Sequence, residues 1–127
     1  MITDPIADLL TRIRNAYLAR KETVIIPHSV SKIAILNVMK TRKFINDFKE
    51  QSNNKFKEIL ITLNQEKRDI TLKRVSKPGQ RIYVKNVDIK KINGGLGVLI
   101  ISTPKGVISG EDAKKMKVGG ELICEIY

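Results

Sequence analysis

Gly97-Val98-Leu99-Ile100-Ile101-Ser102-Thr103-Pro104-Lys105-Gly106-Val107-Ile108 is the stretch whose reading decides the fold. The apolar run Val98–Ile101, rich in β-branched residues, predicts a buried strand over Gly97–Thr103. Pro104-Lys105-Gly106 is turn chemistry, and Gly106–Ile108 resumes as a second strand. Ser109 then opens a short helix. Asp112, three residues on, completes an Asp version of the capping box, and Ala113, Lys114, Lys115 and Met116 extend the helix for about two turns.

The pattern continues outward from there. Glu121–Tyr127 reads as a strand after the Gly119-Gly120 turn, and upstream Ile70–Val75 and Arg81–Lys85 read as strands around Lys77-Pro78-Gly79. Gly94-Gly95 punctuates the approach to the quoted stretch. The second half is therefore mainly β with one short helix.

The first half differs. Thr3 or Asp4 can cap a helix in which Pro5 suits the first turn, Asp8 favours the positive dipole end, and Arg20 and Lys21 favour the other. Ile6, Leu9, Leu10, Ile13 and Tyr17 recur on one face of it. Glu22–Pro27 reads as a short strand. Ser29 caps a second helix to about Thr41, with Val30, Ile33, Leu36 and Met39 or Val38 inward. Phe44–Lys49 and Phe56–Leu63 read as strands around a polar turn at Gln51-Ser52-Asn53-Asn54. The order is α-β-α-β-β. The polar stretch Asn64–Asp69 that follows reads either as a hairpin turn or as a domain boundary.

The chain has 127 residues, 24 Lys plus Arg, 13 Asp plus Glu and a net charge of +11. That length gives one domain or two small ones, enough to bury a core without disulfides or metals. Residues 1–63 carry +5 and residues 64–127 carry +6, so a folded basic surface, not a tail, is expected to seek a polyanion. Nucleic acid is the commonest one in the cytosol. No apolar window of about 18 residues offers a membrane span, and no amphipathic Lys-rich helix with aromatic anchors offers a membrane surface. The start MITDPIADLL lacks the basic n-region of a signal peptide. A lone cysteine points to a reducing cytosolic setting.

Catalytic chemistry finds no constellation. Cys124 and the single His28 do not make a zinc site. His28 reads as a surface or capping residue with no carboxylate nearby in sequence, and Cys124 as a buried inert thiol. Gly94-Gly95-Leu96-Gly97 precedes a strand, whereas a phosphate loop needs a helix directly after it. Asp4 and Asp8 are explained by the helix dipole. The expectation is a non-enzyme with no cofactor, no metal and no small-molecule substrate. The hydroxyls, charge and Gly of Ser102-Thr103-Pro104-Lys105-Gly106 suit base edges, 2′-hydroxyls and phosphates of structured RNA, and a tight hairpin turn is the plain alternative. Few aromatics and no RNA-recognition-motif run argue against single-strand stacking.

The quoted stretch with Ala113-Lys114 resembles the signature of the ribosomal protein eight family of the small subunit. The opening Asp4–Asn15, the run Arg74–Gly79 with Arg81-Ile82-Tyr83, and the ending Val118–Ile123 resemble the same family in order and spacing. The resemblance implies an α+β fold of two small, tightly associated α/β domains. These are an N-terminal domain over 1–66 and a mainly β RNA-binding domain over 67–127. It implies a cytoplasmic structural constituent of the small ribosomal subunit that binds the central domain of 16S rRNA and helps assemble the platform. Its neighbours would be ribosomal proteins five and twelve. The alternative is a basic RNA-binding regulator outside the ribosome, such as a repressor of an mRNA that mimics the rRNA site. The resemblance carries the RNA site onto Ser102, Thr103, Lys105 and Gly106, flanked by Tyr83 and by Gly119, Gly120 and Glu121. A second surface carries Thr11, Arg12, Arg14 and Asn15. One position departs from the family loop, which usually reads Ser-Thr-Ser: here the third residue is Pro104, with no hydroxyl and no N–H.

Overall fold

The computed structural model describes residues 4–67 and 69–127. Asp4 caps helix α1 (Pro5–Leu18), its carboxylate accepting from the Ala7 N–H at 3.2 Å, and Pro5 fills the first turn, where no N–H is needed. Thr3, the other candidate cap, lies outside the described residues. Leu9, Leu10, Ile13, Ala16 and Tyr17 form the buried face of α1. Strand β1 (Thr23–Pro27) leads to helix α2 (Val30–Thr41), whose cap Ser29 accepts from the Lys32 N–H.

The inward line of α2 departs from the one expected. Val30 is 80 % exposed, while Ile35, Leu36 and Met39 are buried together with Lys32. Helical side chains lean toward the N-terminus, so the first residue projects past the helix end and not onto the layer beneath. Lys32 turns its ammonium back to the Pro27 carbonyl at 3.1 Å. Burial pulls its pKa down, Asp8 pushes it back up, and Arg12 adds to the fall.

Strands β2 (Ile45–Asn53) and β3 (Phe56–Leu63) form a hairpin, and the first sheet runs antiparallel in the order β1-β3-β2. The turn is Asn54-Lys55, not Gln51–Asn54. Asn54 takes φ 57°, which asparagine tolerates, so the polar residues Gln51–Asn53 stay paired with Phe56–Glu58. Pro27 sits on the edge strand, where a missing N–H breaks no ladder.

The second sheet holds β4 (Leu72–Arg74), β5 (Tyr83–Val84), β6 (Val98–Thr103), β7 (Gly106–Ser109) and β8 (Gly120–Ile126). Its order is β4-β8-β6-β7, with β5 also on β8. The expected strand Arg81–Lys85 shrinks to two residues: the Ile82 N–H turns to the buried Ser76 hydroxyl at 2.8 Å, while the Ile82 carbonyl accepts from that hydroxyl at 3.2 Å and from the Leu122 N–H at 2.9 Å. Ile70–Val75 shrinks likewise to Leu72–Arg74. Helix α3 (Gly110–Met116) is capped by Ser109, which accepts from the Asp112 N–H.

All three helices close in one way. A basic residue at positive φ (Arg20 56°, Lys43 63°, Lys117 58°) lets the next N–H turn back: Lys21 to Ala16, Phe44 to Met39, Val118 to Ala113. Glycine is the usual choice there, and a cation instead gains the helix dipole.

The second sheet buries both faces. Ile100, Cys124 and Ile126 join Leu9, Ile13, Leu36, Ile59 and Ile61 in one core shared with the first half. Leu99, Ile101, Ile89 and Ala113 make a smaller core on the other side. Burial pushes the Cys124 thiol up to about 12, so it is the inert thiol expected. Tyr17 ties the first half together: its hydroxyl donates to the Phe44 carbonyl at 2.5 Å and accepts from the Asn64 N–H at 3.1 Å. Tyr17→Phe removes one partner from each of those backbone groups, and urea unfolding should show a loss of about 1–3 kcal/mol without a change in fold.

Candidate nucleic-acid interface

The candidate site is built at the start of β8. Gly119 and Gly120 admit this strand between β5 and β6: a Cβ on Gly120 would lie 2.0 Å from the Ser102 carbonyl oxygen, and one on Gly119 would lie 2.3 Å from that of Val84. The close approach fixes a register in which Tyr83 stands opposite Glu121, Glu121 opposite Ser102, and Ser102 opposite Val107. Directly opposed residues of antiparallel strands share a face, so Tyr83, Glu121 and Ser102 form one transverse row. Tyr83 is 70 % exposed at its end.

The turn beyond Ser102 is held by Thr103. Its hydroxyl accepts from the Lys105 N–H at 3.0 Å and donates to the Gly106 carbonyl at 2.8 Å. Gly106 takes φ 113°, while Pro104 and Lys105 keep negative φ. Proline presets the first central position of such a turn, which accounts for its tolerance here. The hydroxyl of Ser102, in contrast, engages no group among the described residues, and Lys105 is exposed.

Two arginines that sequence reading had not singled out as contacts hold residues of β8. Arg81 Nη1 donates to Glu121 Oε2 at 3.0 Å and Oε1 at 3.3 Å, and the hydrogen bond and charge of Glu121 raise the arginine's pKa further. Arg74 donates to Asp4 Oδ2 at 3.2 Å and to the Ile123 carbonyl at 2.7 Å, tying the head of α1 to β8. The signal for Arg81 was present: it lies two residues before Tyr83, and period two puts both on one side of an extended chain.

The second predicted set behaves unevenly. Thr11, Arg12 and Asn15 are exposed, with Arg12 paired to Asp8 at 3.0 Å. Arg14 is half-buried and donates to the Leu72 carbonyl, which makes it a tie between α1 and the second sheet. No hydrogen bond or ion pair among the described residues links Thr11, Arg12 or Asn15 to the row at β8.

The remaining candidates resolve into structure. The Gly94–Gly97 segment presents carbonyls: those of Gly95 and Gly97 accept from Arg42 Nη2 at 3.1 and 2.9 Å. Arg42 Nη1 faces Glu111 at 3.4 Å without hydrogen-bond alignment. His28, with no carboxylate nearby in sequence, meets one in space: β2 brings Glu50 to its Nε2 at 2.5 Å. No cluster of three metal-ligating side chains occurs among the described residues, and no helix there is long and apolar enough to cross a membrane.

With this geometry the comparisons are specific. The family described as Ribosomal protein S8 matches residues 4–127. The chain belongs to that family. A protein of Roseiflexus castenholzii named small ribosomal subunit protein uS8 is 49 % identical over 130 residues, covering 99 % of this chain and 98 % of its own. Relatives of the same name from Nitratidesulfovibrio vulgaris and Clostridium tetani are 48 % and 44 % identical; the first is covered in full, as is this chain, and the second over 99 % of its length. The S8 family is one of ribosomal proteins, a structural and not an enzymatic kind, and its mixed helix-and-sheet fold is the one described above.

The close approach at β8 makes a sharp test. Gly120→Ala places a methyl group against the Ser102 backbone, which can only yield if the β6–β8 pair opens. Amide exchange should show lost protection in Ile101–Thr103 and Glu121–Leu122, with a lowered melting temperature, while α1 and β1–β3 stay protected.

Proposed function

We propose that this chain is a structural constituent of the small ribosomal subunit that binds the central domain of 16S rRNA and helps assemble the subunit platform, working in the cytoplasm. The observation that carries the reading is the row Tyr83–Glu121–Ser102 beside the Lys105 turn, on a chain of net charge +11. An aromatic ring, an acceptor and a free hydroxyl at one sheet end match the wide, shallow RNA minor groove, where 2′-hydroxyls and base edges are displayed. The names of the relatives support the subunit assignment.

In this reading residues 67–127 form the primary RNA-binding domain. Ser102 and Lys105 meet the RNA, Thr103 and Gly106 shape the turn, Gly119 and Gly120 set the register, and Tyr83 and Glu121 flank the contact. Residues 1–66 form the second domain and offer Thr11, Arg12 and Asn15 as a second RNA surface, with Arg14 holding it to the first. Ribosomal proteins five and twelve are the proposed protein neighbours.

Binding of the purified chain to a central-domain rRNA fragment, against a random RNA of equal length, tests the proposal. Log affinity should fall linearly with log salt, each phosphate contact adding roughly −0.7 to −0.9 to the slope, and Arg12→Ala should flatten it by about one contact. Ser102→Ala should cost about 1–3 kcal/mol on the specific RNA and almost nothing on the random one. Equal affinity for the two RNAs would refute the proposal.

The turn supplies a further expectation. Pro104→Ser restores the hydroxyl usual in the family but frees the unfolded chain, at a stability cost of roughly 0.4–1 kcal/mol. Affinity should stay equal or rise slightly while the melting temperature falls slightly, as paired titrations and melts would show. A tenfold loss of affinity at unchanged melting would mean that the proline ring itself meets RNA.

A further inference from the structure

Two carboxylates beside β8 are each covered by an arginine, and the second lies in the row assigned above to a polyanion. The inner pair, Asp4 and Arg74, has side chains 17 % and 13 % exposed and is locked to the Ile123 carbonyl. The outer pair is lopsided. The Glu121 side chain is 17 % exposed and that of Arg81 is 52 % exposed. A single nitrogen, Arg81 Nη1, spans both oxygens of Glu121, at 3.0 and 3.3 Å. Arg81 Nε and Nη2 donate to no group among the described residues.

Glu121 occupies the middle of the row, between Tyr83 and Ser102. An unpaired carboxylate there would face phosphates of like charge and lose water as RNA closed over it, both unfavourable. The strand register gives it no room to withdraw, because Gly120 beside it is fixed against the Ser102 backbone.

We propose that Arg81 is the charge-masking and positioning residue of this interface. It clamps Glu121 so that the Tyr83–Glu121–Ser102 row meets RNA without negative charge, and it turns its remaining N–H donors toward a phosphate. The proposal rests on the RNA-binding reading above. A guanidinium suits both tasks, since its planar fork can bind a carboxylate along one edge and phosphate along another.

The test is a double-mutant cycle on the full chain, using the central-domain rRNA fragment and random RNA, with a thermal melt of every variant. Arg81→Ala should weaken specific binding about tenfold or more by exposing an uncompensated carboxylate. Glu121→Gln is the reference of the cycle, since it keeps the side chain's shape and one acceptor oxygen but leaves no charge to mask. The combination of Arg81→Ala with Glu121→Gln should return to within about threefold of Glu121→Gln. A merely structural or merely phosphate-binding Arg81 would give no such rescue. Arg81→Lys keeps the charge, and should bind better than Arg81→Ala even if the alanine variant melts early. The masking role is overturned if Arg81→Ala binds as wild type does, or if the double variant is as weak as Arg81→Ala. Wild-type protein that does not distinguish the two RNAs would instead overturn the RNA-binding reading, and this inference with it.

Discussion

The backbone of Gly120 lies so close to the carbonyl of Ser102 that no side chain fits between them. This constraint makes β8 the hinge-pin of the second half, because β4, β5 and β6 all pair with it. It also sets which residues face one another at the sheet end. A one-residue slip would send every side chain of the strand to the opposite face. Glu121 would leave the row, and Cys124 would leave the shared core. The close approach of Gly119 and Gly120 thus fixes both the proposed recognition surface and the packing of the shared core.

A chain this basic does not spend all its cations on a partner. Arg14 reaches the Leu72 carbonyl, Arg42 those of Gly95 and Gly97, Arg74 that of Ile123, and Lys32 that of Pro27. Backbone carbonyls at strand ends and loops need donors when they are taken from water. A guanidinium supplies several donors at once and stays charged, so it suits these places better than a neutral side chain. Two of the four ties, those of Arg14 and Arg42, join the first half to the second sheet or its loops. These four cations are therefore committed to the fold and not left free for a partner.

Much of this was legible in the sequence. The helix caps Asp4, Ser29 and Ser109 were, because capping is a local bargain between a short polar side chain and the next turn. So was the run Val98–Ile101, whose β-branched residues leave little choice but a buried strand. What escaped depends on long-range pairing. The Arg81–Glu121 pair joins residues 40 apart, Glu50 reaches His28 across 22, and the Ile82 N–H goes to the Ser76 hydroxyl. Gln51–Asn53 look like a turn in isolation and become strand because β3 offers them a ladder. Val30 looks apolar enough to be buried, yet its place at the first helical position points it outward.

The turn at Thr103–Gly106 separates two adjacent hydroxyls, one that builds the turn and one left free. Ser and Thr side by side look interchangeable as RNA contacts. The geometry separates them: Thr103 closes the turn on Lys105 and Gly106, while Ser102 keeps its hydroxyl free in the row with Glu121. Pro104 belongs with the builders. It fixes φ where the turn needs it and has no N–H for the turn to satisfy, so the hydroxyl it displaces from the usual family loop is exchanged for order in the backbone. Ordering a loop before binding lowers the entropy that binding must overcome. On the proposed reading, in which Ser102 and Lys105 meet the RNA, the loop needs little further ordering, because Thr103, Pro104 and Gly106 already hold the turn.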